Sequence, residues 1–590
     1  MPMTIPRALL EFGDPYHAGQ PPKRLAFGEP QQVLVARTLA EVRPVLEQVD
    51  ALSRQGLWCV GYVRYEAAPA FDAALQVHAA EGPLVWFGVH AQPLADAEVQ
   101  QPTGPEPHVA WTPRIRRETF DANMARIHEA IAAGDFYQLN YTAQLEAPFP
   151  ASPSSNSVDS AWTYFAALRR SQPRAYGAFV DTGDEQVLSV SPELFFDWDG
   201  QRILSRPMKG TAARGANPQE DADNAERLRS TPKELAENVM IVDLIRNDLS
   251  RVAQPFSVKV PRLFHLEALP TVWQMTSDVV ATTREGTRLW DVFAALFPCG
   301  SVTGAPKVQA MRQINALEPD ARGVYCGAVG VVRPGGHATF NVPIRTVTVR
   351  GGEARCGIGS GITFDAQAEG EWQEWRSKRM FLERASQPFE LLETLALRDG
   401  VVHNLALHLR RMAGAAAHFG FVWNEGQAAQ TLAGVVQSHP AGAWRIRLLL
   451  QPDGQCTAHA FALADTPVPV TLQLADRPLE EAHGEFVRFK TTRRAHYDAF
   501  TPSDPAVFDT ILFNPQGEVT ECTRGNIAFL LDGQWFTPPL SCGMLPGVGR
   551  EVLLSQGRLK EQVVRVEQLP QVQGMAFINS LRGWLDAKLV

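Results

Sequence analysis

Two lysines in this chain sit where a lysine could do more than carry charge. The stretch Ser205-Arg206-Pro207-Met208-Lys209-Gly210-Thr211 sets Lys209 on a short turn marked by Pro207 and Gly210. Proline fixes its own φ, and glycine reaches backbone angles that other residues resist. A lysine amine is a nucleophile only when neutral, and its free pKa is about 10.4. The adjacent Arg206, or burial, would lower that value. Phe489-Lys490-Thr491-Thr492-Arg493-Arg494 presents Lys490. Taken alone, the first stretch reads equally as a solvated surface turn and the second as a charged strand end.

Carboxylates form a second set. Glu193 lies in Ser191-Pro192-Glu193-Leu194-Phe195-Phe196 among apolar neighbours. In a dry setting its pKa would rise and it could act as a general acid; on a sheet edge it would face water. Thr231-Pro232-Lys233-Glu234 starts a helix, with Thr231 as N-cap, Pro232 at the first position and Glu234 as capping-box partner. That helix runs to Asp248 and carries Glu237 in an apolar setting. A buried acid needs a partner there, and a hard cation would serve. Glu371 and Glu374 lie one turn apart on another helix, either as a solvated face or as oxygen ligands. Two carboxylate-bearing helices suit Mg²⁺, which keeps several waters. Arg345, in an apolar run, is expected to pair with an anion.

Two glycine segments stand out, the first of which would present backbone amides to an anion at a helix start. One is Phe297-Pro298-Cys299-Gly300-Ser301-Val302-Thr303-Gly304-Ala305-Pro306-Lys307, which opens a helix over 308–317. The other, Gly357-Ile358-Gly359-Ser360-Gly361-Ile362, reads as a loop.

The elements that must position these residues follow from pattern. Residues 57–63 and 84–89 read as strands, 120–133 as an amphipathic helix and 136–145 as a strand. Residues 151–160 read as a polar surface loop, and 177–180 with 187–190 as a strand pair. Strands are also expected over 325–330 and 340–346. The first 110 residues carry no obvious chemistry and read as scaffold.

With 590 residues the chain needs at least two cores. Its 45% hydrophobic and 20% charged content is that of a soluble globular protein. A net charge of −9 gives no reason to expect nucleic acid or an anionic membrane as partner. No apolar run is long enough to span a bilayer, and the N-terminus lacks a signal-peptide layout. The seven cysteines are scattered without a CxxC pair, so neither a disulfide framework nor a zinc site is expected, and a reduced cytoplasm is the default.

Taken together, the motifs SPELF, MKGT, ENVMIVDLIRND, GSVTGAPK, CGAVG, IRT, and GIGSGI followed by EWQEWRSK resemble, in order, the chorismate-utilising enzymes over roughly residues 110–385. The resemblance implies an anthranilate synthase component I-like β-sandwich with flanking helices over 1–386, with 110–386 as catalytic core. Members that add water to chorismate carry a lysine in the strand that here reads Tyr137-Gln138-Leu139-Asn140, and anthranilate synthases typically have alanine at the position of Lys209. A lysine followed by Gly-Thr is similar to the aminodeoxychorismate synthase branch. That branch implies attack by Lys209 on C2 of chorismate, protonation of the departing C4 hydroxyl by Glu193, and addition of ammonia at C4. It also implies Mg²⁺ on Glu237 and Glu374, with Tyr325, Arg345, Thr303 and the Gly359, Ser360 and Gly361 segment as substrate contacts. The histidine of some relatives is replaced by Gln274-Met275-Thr276-Ser277. No Gly-x-Cys-x-Gly nucleophile loop is present, so ammonia would come from a separate glutamine amidotransferase subunit or from solution.

Residues 389–590 resemble fold-type IV pyridoxal 5'-phosphate enzymes, aminodeoxychorismate lyases in particular, through Phe389-Glu390-Leu391-Leu392-Glu393-Thr394, His408-Leu409-Arg410-Arg411-Met412, Val519-Thr520-Glu521, Leu545-Pro546-Gly547-Val548-Gly549 and Asn579-Ser580-Leu581-Arg582. The resemblance implies Lys490 as the cofactor-bearing lysine, Glu521 at the pyridine nitrogen, Arg411, Gly547 and Val548 at the phosphate, and Ser580 as a hydroxyl contact to the cofactor. Such relatives are commonly homodimers. The family's opening strand residues are shortened here. The two halves would be consecutive steps from chorismate to 4-aminobenzoate. Rival expectations are an anthranilate-type amination, or a C-terminal half that only docks or regulates.

Overall fold

Runs such as Trp58-Cys59-Val60-Gly61-Tyr62-Val63 are apolar without alternation, and they become strands buried on both faces. The computed structural model describes residues 3–590 apart from 18–21, 103–106, 151–156, 173–174, 214–217 and 269–271. The chain divides into two units, Met1–Pro388 and Phe389–Val590.

The first unit is built on two antiparallel sheets. One runs in the order Gly304–Ala305, Gln138–Pro148, Glu353–Ile362, Thr346–Arg350, Glu185–Ser191, Tyr176–Asp181, Ala8–Phe12, Lys23–Phe27. The other runs Met208–Ala213, Val272–Thr282, Arg202–Arg206, Leu194–Trp198, Ala338–Asn341, Ala328–Val332, Trp58–Val63, Val85–His90, Gln32–Ala36. A shared core containing Leu10, Phe27, Val60, Tyr62, Val187 and Val331 joins the two faces. Helices Leu39–Arg54 and Leu289–Leu296 pack on the Phe196 and Phe340 side, and helices Arg117–Ala132 and Ser157–Ser171 on the Tyr141 and Phe179 side. The first hundred residues are woven into this sandwich: Ala8 pairs with Val180, and Val63 with Ala328.

Several local expectations change. Lys209 lies in a strand, Met208–Ala213, and not in a turn. Its pairing with Val272–Thr282 slips between Met208 and Thr211, where Gly210 takes φ +85°, so the Gly marks a bulge. Residues 357–362 are strand too, inside Glu353–Ile362. Its glycines serve close approach: a Cβ on Gly357 would meet the Tyr325 ring at 2.2 Å, and one on Gly359 would meet the Tyr141 carbonyl at 2.4 Å. The Thr231 capping box does not form, because the Thr231 hydroxyl donates to the Arg227 carbonyl at 2.6 Å. The 340–346 strand breaks after Asn341, since Arg345 stands at φ +51°, and pairing resumes at Thr346–Arg350. The 325–330 strand begins only at Ala328. Of the expected 151–160 loop, 151–156 lies outside the described residues, and a helix is already running from Ser157.

The second unit has a four-stranded sheet, Val401–Val402, Leu391–Arg398, Ala443–Leu450, Cys456–Ala462, and a mixed eight-stranded sheet that includes Val519–Cys522, Asp509–Phe513, Gly574–Asn579 and Asn526–Leu531. Helix Leu405–Phe419 packs on the smaller sheet and carries His408 and Arg411. No helix among the described residues is long and apolar enough to cross a membrane.

Candidate active sites

The Lys209 bulge brings its ammonium across to the other sheet. Lys209 Nζ lies 2.9 Å from the point where a Cβ on Gly361 would stand, and Gln138 Nε2 lies 2.3 Å from the same point. A side chain at 361 would therefore fill the meeting point of Lys209 and Gln138. Gln138 is buried and its Oε1 has no hydrogen-bond partner. It occupies the strand where water-adding relatives are expected to carry lysine.

Glu193 does not face water; it is 3% exposed, and its Oε1 is unpartnered. Burial pushes its carboxyl up to about 7, against the Ser301 hydroxyl and the charges of Lys209 and Lys378, which favour ionisation.

Helices Pro232–Ser250 and Ala368–Lys378 supply the acidic cluster. Lys233 Nζ lies 3.9 Å from Glu237 and 3.6 Å from Glu371, so it spans the two helices. Burial raises Glu237 to about 7, against the charge of Lys209. Burial and then the Glu374 charge raise Glu371, whose Oε2 is buried and unpartnered. Burial acts to raise Glu374 as well, but the Lys378 ammonium at 2.6 Å outweighs it and holds Glu374 low. Among the described residues no three His, Cys, Asp or Glu side chains group to hold a metal. The oxygen donors present, with an orphaned carboxylate oxygen on Glu371, fit an ion that takes one or two protein carboxylates and completes its shell with water and substrate.

Other expected contacts are placed differently. The Thr303 hydroxyl is fully buried and donates to the Cys299 carbonyl at 3.1 Å. Ser360 accepts from Trp375 Nε1 at 2.9 Å, and the Gly359 carbonyl accepts from Lys378 Nζ at 2.9 Å. Lys378 is thus a site residue that its motif, EWQEWRSK, contained without marking. Arg345 has no ion-pair partner among the described residues, so no protein carboxylate supplies the expected anion; burial and then the charge of Arg384 pull its guanidinium down to about 10. Tyr325 and Gly357 line a cavity of about 270 Å³ with Arg322 and Thr346, which neither Lys209 nor Glu193 lines.

In the second unit one cavity of about 440 Å³ is lined by Lys490, Glu521, Arg411, Gly547, Val548 and Ser580. Burial, then the charges of Arg411 and Arg494, lower the Lys490 amine to about 8. Glu521 is 2% exposed; its Oε1 accepts from Tyr497 Oη at 2.6 Å and from the Leu545 amide at 3.1 Å, while burial raises it to about 7. Arg411 Nη1 donates to the Pro546 carbonyl at 3.0 Å, which ties it to the turn that opens helix Val548–Ser555. A Cβ on Gly547 would meet Asn526 Oδ1 at 1.8 Å, so a side chain there displaces that amide, and a Cβ on Gly549 would meet the Asn579 backbone at 2.7 Å. An arginine, a helix start and a hydroxyl on one wall suit a phosphate. A lysine with a lowered pKa and a buried acid in the same cavity suit the ring of pyridoxal phosphate. The sequence did not mark Tyr497, Arg494, His408 or Glu393 for a role, although the last three stand in the motifs named above.

Residues 6–384 match the family model for chorismate binding enzymes, and residues 390–590 that for class IV amino-transferases. The chain is 39% identical over 264 residues to aminodeoxychorismate synthase component 1 of Escherichia coli (strain K12), covering 45% of this chain and 56% of that protein. It is 37% identical over 265 residues to anthranilate synthase component 1 of Streptomyces coelicolor, covering 45% and 50%. The chain therefore spans about half the length of these curated relatives. The solved anthranilate synthase component I from Streptococcus pneumoniae TIGR4 superposes with a TM-score of 0.51 at 22% identity, covering 64% of this chain and 91% of that one.

Proposed function

The chain belongs to the chorismate binding enzymes, and from that premise we propose that it aminates chorismate to 4-amino-4-deoxychorismate in its first unit and releases 4-aminobenzoate and pyruvate in its second. The observation that carries the first step is the meeting of Lys209 Nζ with Gly361 and Gln138, together with the influence of the Lys209 charge on a buried Glu193. The observation that carries the second is the single cavity shared by Lys490, Glu521 and Arg411.

In the first step the neutral Lys209 amine attacks C2 of chorismate. Both ring double bonds shift, and the C4 hydroxyl leaves as water with the proton of Glu193. Ammonia then adds at C4, the shift reverses, and the C2–N bond to Lys209 breaks. Covalent catalysis divides one difficult substitution into two easier ones. Arg345, half-buried and without a carboxylate partner among the described residues, suits a substrate carboxylate. Mg²⁺ held by Glu237 and Glu374, with Glu371 beside them, would neutralise the ring carboxylate. Ammonia comes from a separate glutamine amidotransferase subunit.

In the second unit pyridoxal phosphate would supply an electron sink for the carbon that loses its proton. Lys490, lowered to about 8, is a base matched to neutral pH and takes the C4 proton. Glu521 would keep the ring nitrogen protonated. The C3–O bond then breaks and the side chain departs as pyruvate.

The test is product identification by mass spectrometry, with chorismate, Mg²⁺, ammonium and pyridoxal phosphate supplied to the full chain. 4-Aminobenzoate with pyruvate is expected. Accumulated aminodeoxychorismate would overturn the second step, and anthranilate would overturn the first.

A further inference from the structure

Glu393 belongs to neither step above, yet it is bonded on both oxygens to residues that line the second cavity. It is 1% exposed. Its Oε1 accepts from Arg411 Nε at 2.8 Å, and its Oε2 accepts from Arg411 Nη2 at 2.7 Å, a bidentate pair. The same Oε2 lies 2.6 Å from His408 Nδ1, and the far nitrogen, Nε2, lies 2.8 Å from the Ser580 hydroxyl. Asn404 Nδ2 donates to that hydroxyl at 3.2 Å. Burial acts to raise Glu393, but the Arg411 charge and the His408 hydrogen bond outweigh it and hold the carboxyl at about 2.

One carboxylate therefore governs two groups on the anion wall. Arg411 has five N–H donors. Two go to Glu393 and one to Pro546, which leaves one on each Nη for a ligand. A carboxylate only accepts, so the ring proton of His408 lies on Nδ1. The bare Nε2 then accepts from the Ser580 hydroxyl while the Ser580 oxygen accepts from Asn404, which holds that hydroxyl in one orientation at the cavity wall.

We propose that Glu393 is a positioning residue for a phosphate monoester: it clamps Arg411 directly and fixes the Ser580 hydroxyl through His408. This rests on the reading of the second cavity as a pyridoxal phosphate site. Partners one shell removed from a ligand typically change affinity by about 10–100-fold when lost, as measured at metal sites.

The experiment titrates the full chain with pyridoxal phosphate and, separately, with pyridoxal, which lacks the phosphate, and follows absorbance and protein fluorescence. Glu393→Gln, His408→Ala and Ser580→Ala are each expected to weaken pyridoxal phosphate by about 10-fold or more and pyridoxal by less than about 2-fold. Ser580→Ala, at the cavity wall, keeps the test open if the buried Glu393→Gln does not fold. The double variant His408→Ala with Ser580→Ala is expected to lose no more than Ser580→Ala alone. Equal weakening of both ligands, unchanged pyridoxal phosphate affinity, or additive losses in the double variant would overturn the proposal. Failure of the unsubstituted chain to bind pyridoxal phosphate would overturn the cofactor reading itself and the proposal with it.

Discussion

The two candidate sites differ in how far the protein satisfies its own polar groups. In the second unit, Glu521 is bonded to Tyr497 and Leu545, and Glu393 to Arg411 and His408. In the first unit, Glu193 Oε1, Glu371 Oε2 and Gln138 Oε1 are buried without partners. An unmade buried hydrogen bond costs roughly 1–3 kcal/mol. The second site thus spends its polar groups on rigidity, which suits a group that stays bound through many turnovers. The first keeps acceptors open, which suits a small polar substrate that completes the site each time.

Four substitutions press on that contrast, from the largest expected effect downward. Lys490→Ala should abolish the visible absorbance that pyridoxal phosphate gives the full chain, together with pyruvate release, while chorismate is still consumed. Lys209→Ala should lower ammonia-dependent consumption of chorismate by at least ~10³-fold in a stopped assay and leave the absorbance intact. If instead each change damaged both halves, the two sites would not be separable. Glu193→Gln should cost ~10²–10⁴-fold in kcat. Because burial raises that carboxyl to about 7, the proton-bearing form prevails below that pH, so the unsubstituted rate falls as pH rises through about 7. The variant should lack that limb in a pH–rate profile. Gly361→Ala sets a methyl 2.3 Å from Gln138 Nε2 and 2.9 Å from Lys209 Nζ. Both are ends of flexible side chains, so the chain should fold, with kcat/KM for chorismate reduced about 10-fold or more.

The open site also makes a metal prediction. Excess EDTA should suppress chorismate consumption and leave the pyridoxal phosphate absorbance unchanged, and added Mg²⁺ should restore the rate.

The sandwich with flanking helices and the fold-type IV unit were legible because the motifs of each half fall in the family's order, while apolar periods marked only single strands and helices. What the sequence hid were properties set by distant contacts. GIGSGI reads as a loop because glycine favours turns, yet here each glycine makes room for a neighbour such as Tyr325 or Tyr141. MKGT reads as a turn for the same reason, while a bulge uses the same φ. Glu193 was open between water and core because its strand neighbours are apolar in either case; only burial between sheets decides. Arg345 seemed to require an anion, but no periodicity shows that the protein supplies none. The roles of Glu393 and His408 were invisible because they depend on Ser580, which lies far along the chain.

The weave of early and late strands has a consequence during synthesis. Trp58–Val63 completes its hydrogen bonding only with Ala328–Val332, and Ala8–Phe12 only with Tyr176–Asp181. A chain leaving the ribosome at ~5–20 residues per second holds the Trp58–Val63 edge open for on the order of tens of seconds. During that time an apolar strand meant for the centre of a sheet is available to the wrong partner. The nascent first unit is therefore a natural client for a holding chaperone, and expression at lower temperature, with slower aggregation, should raise its soluble yield.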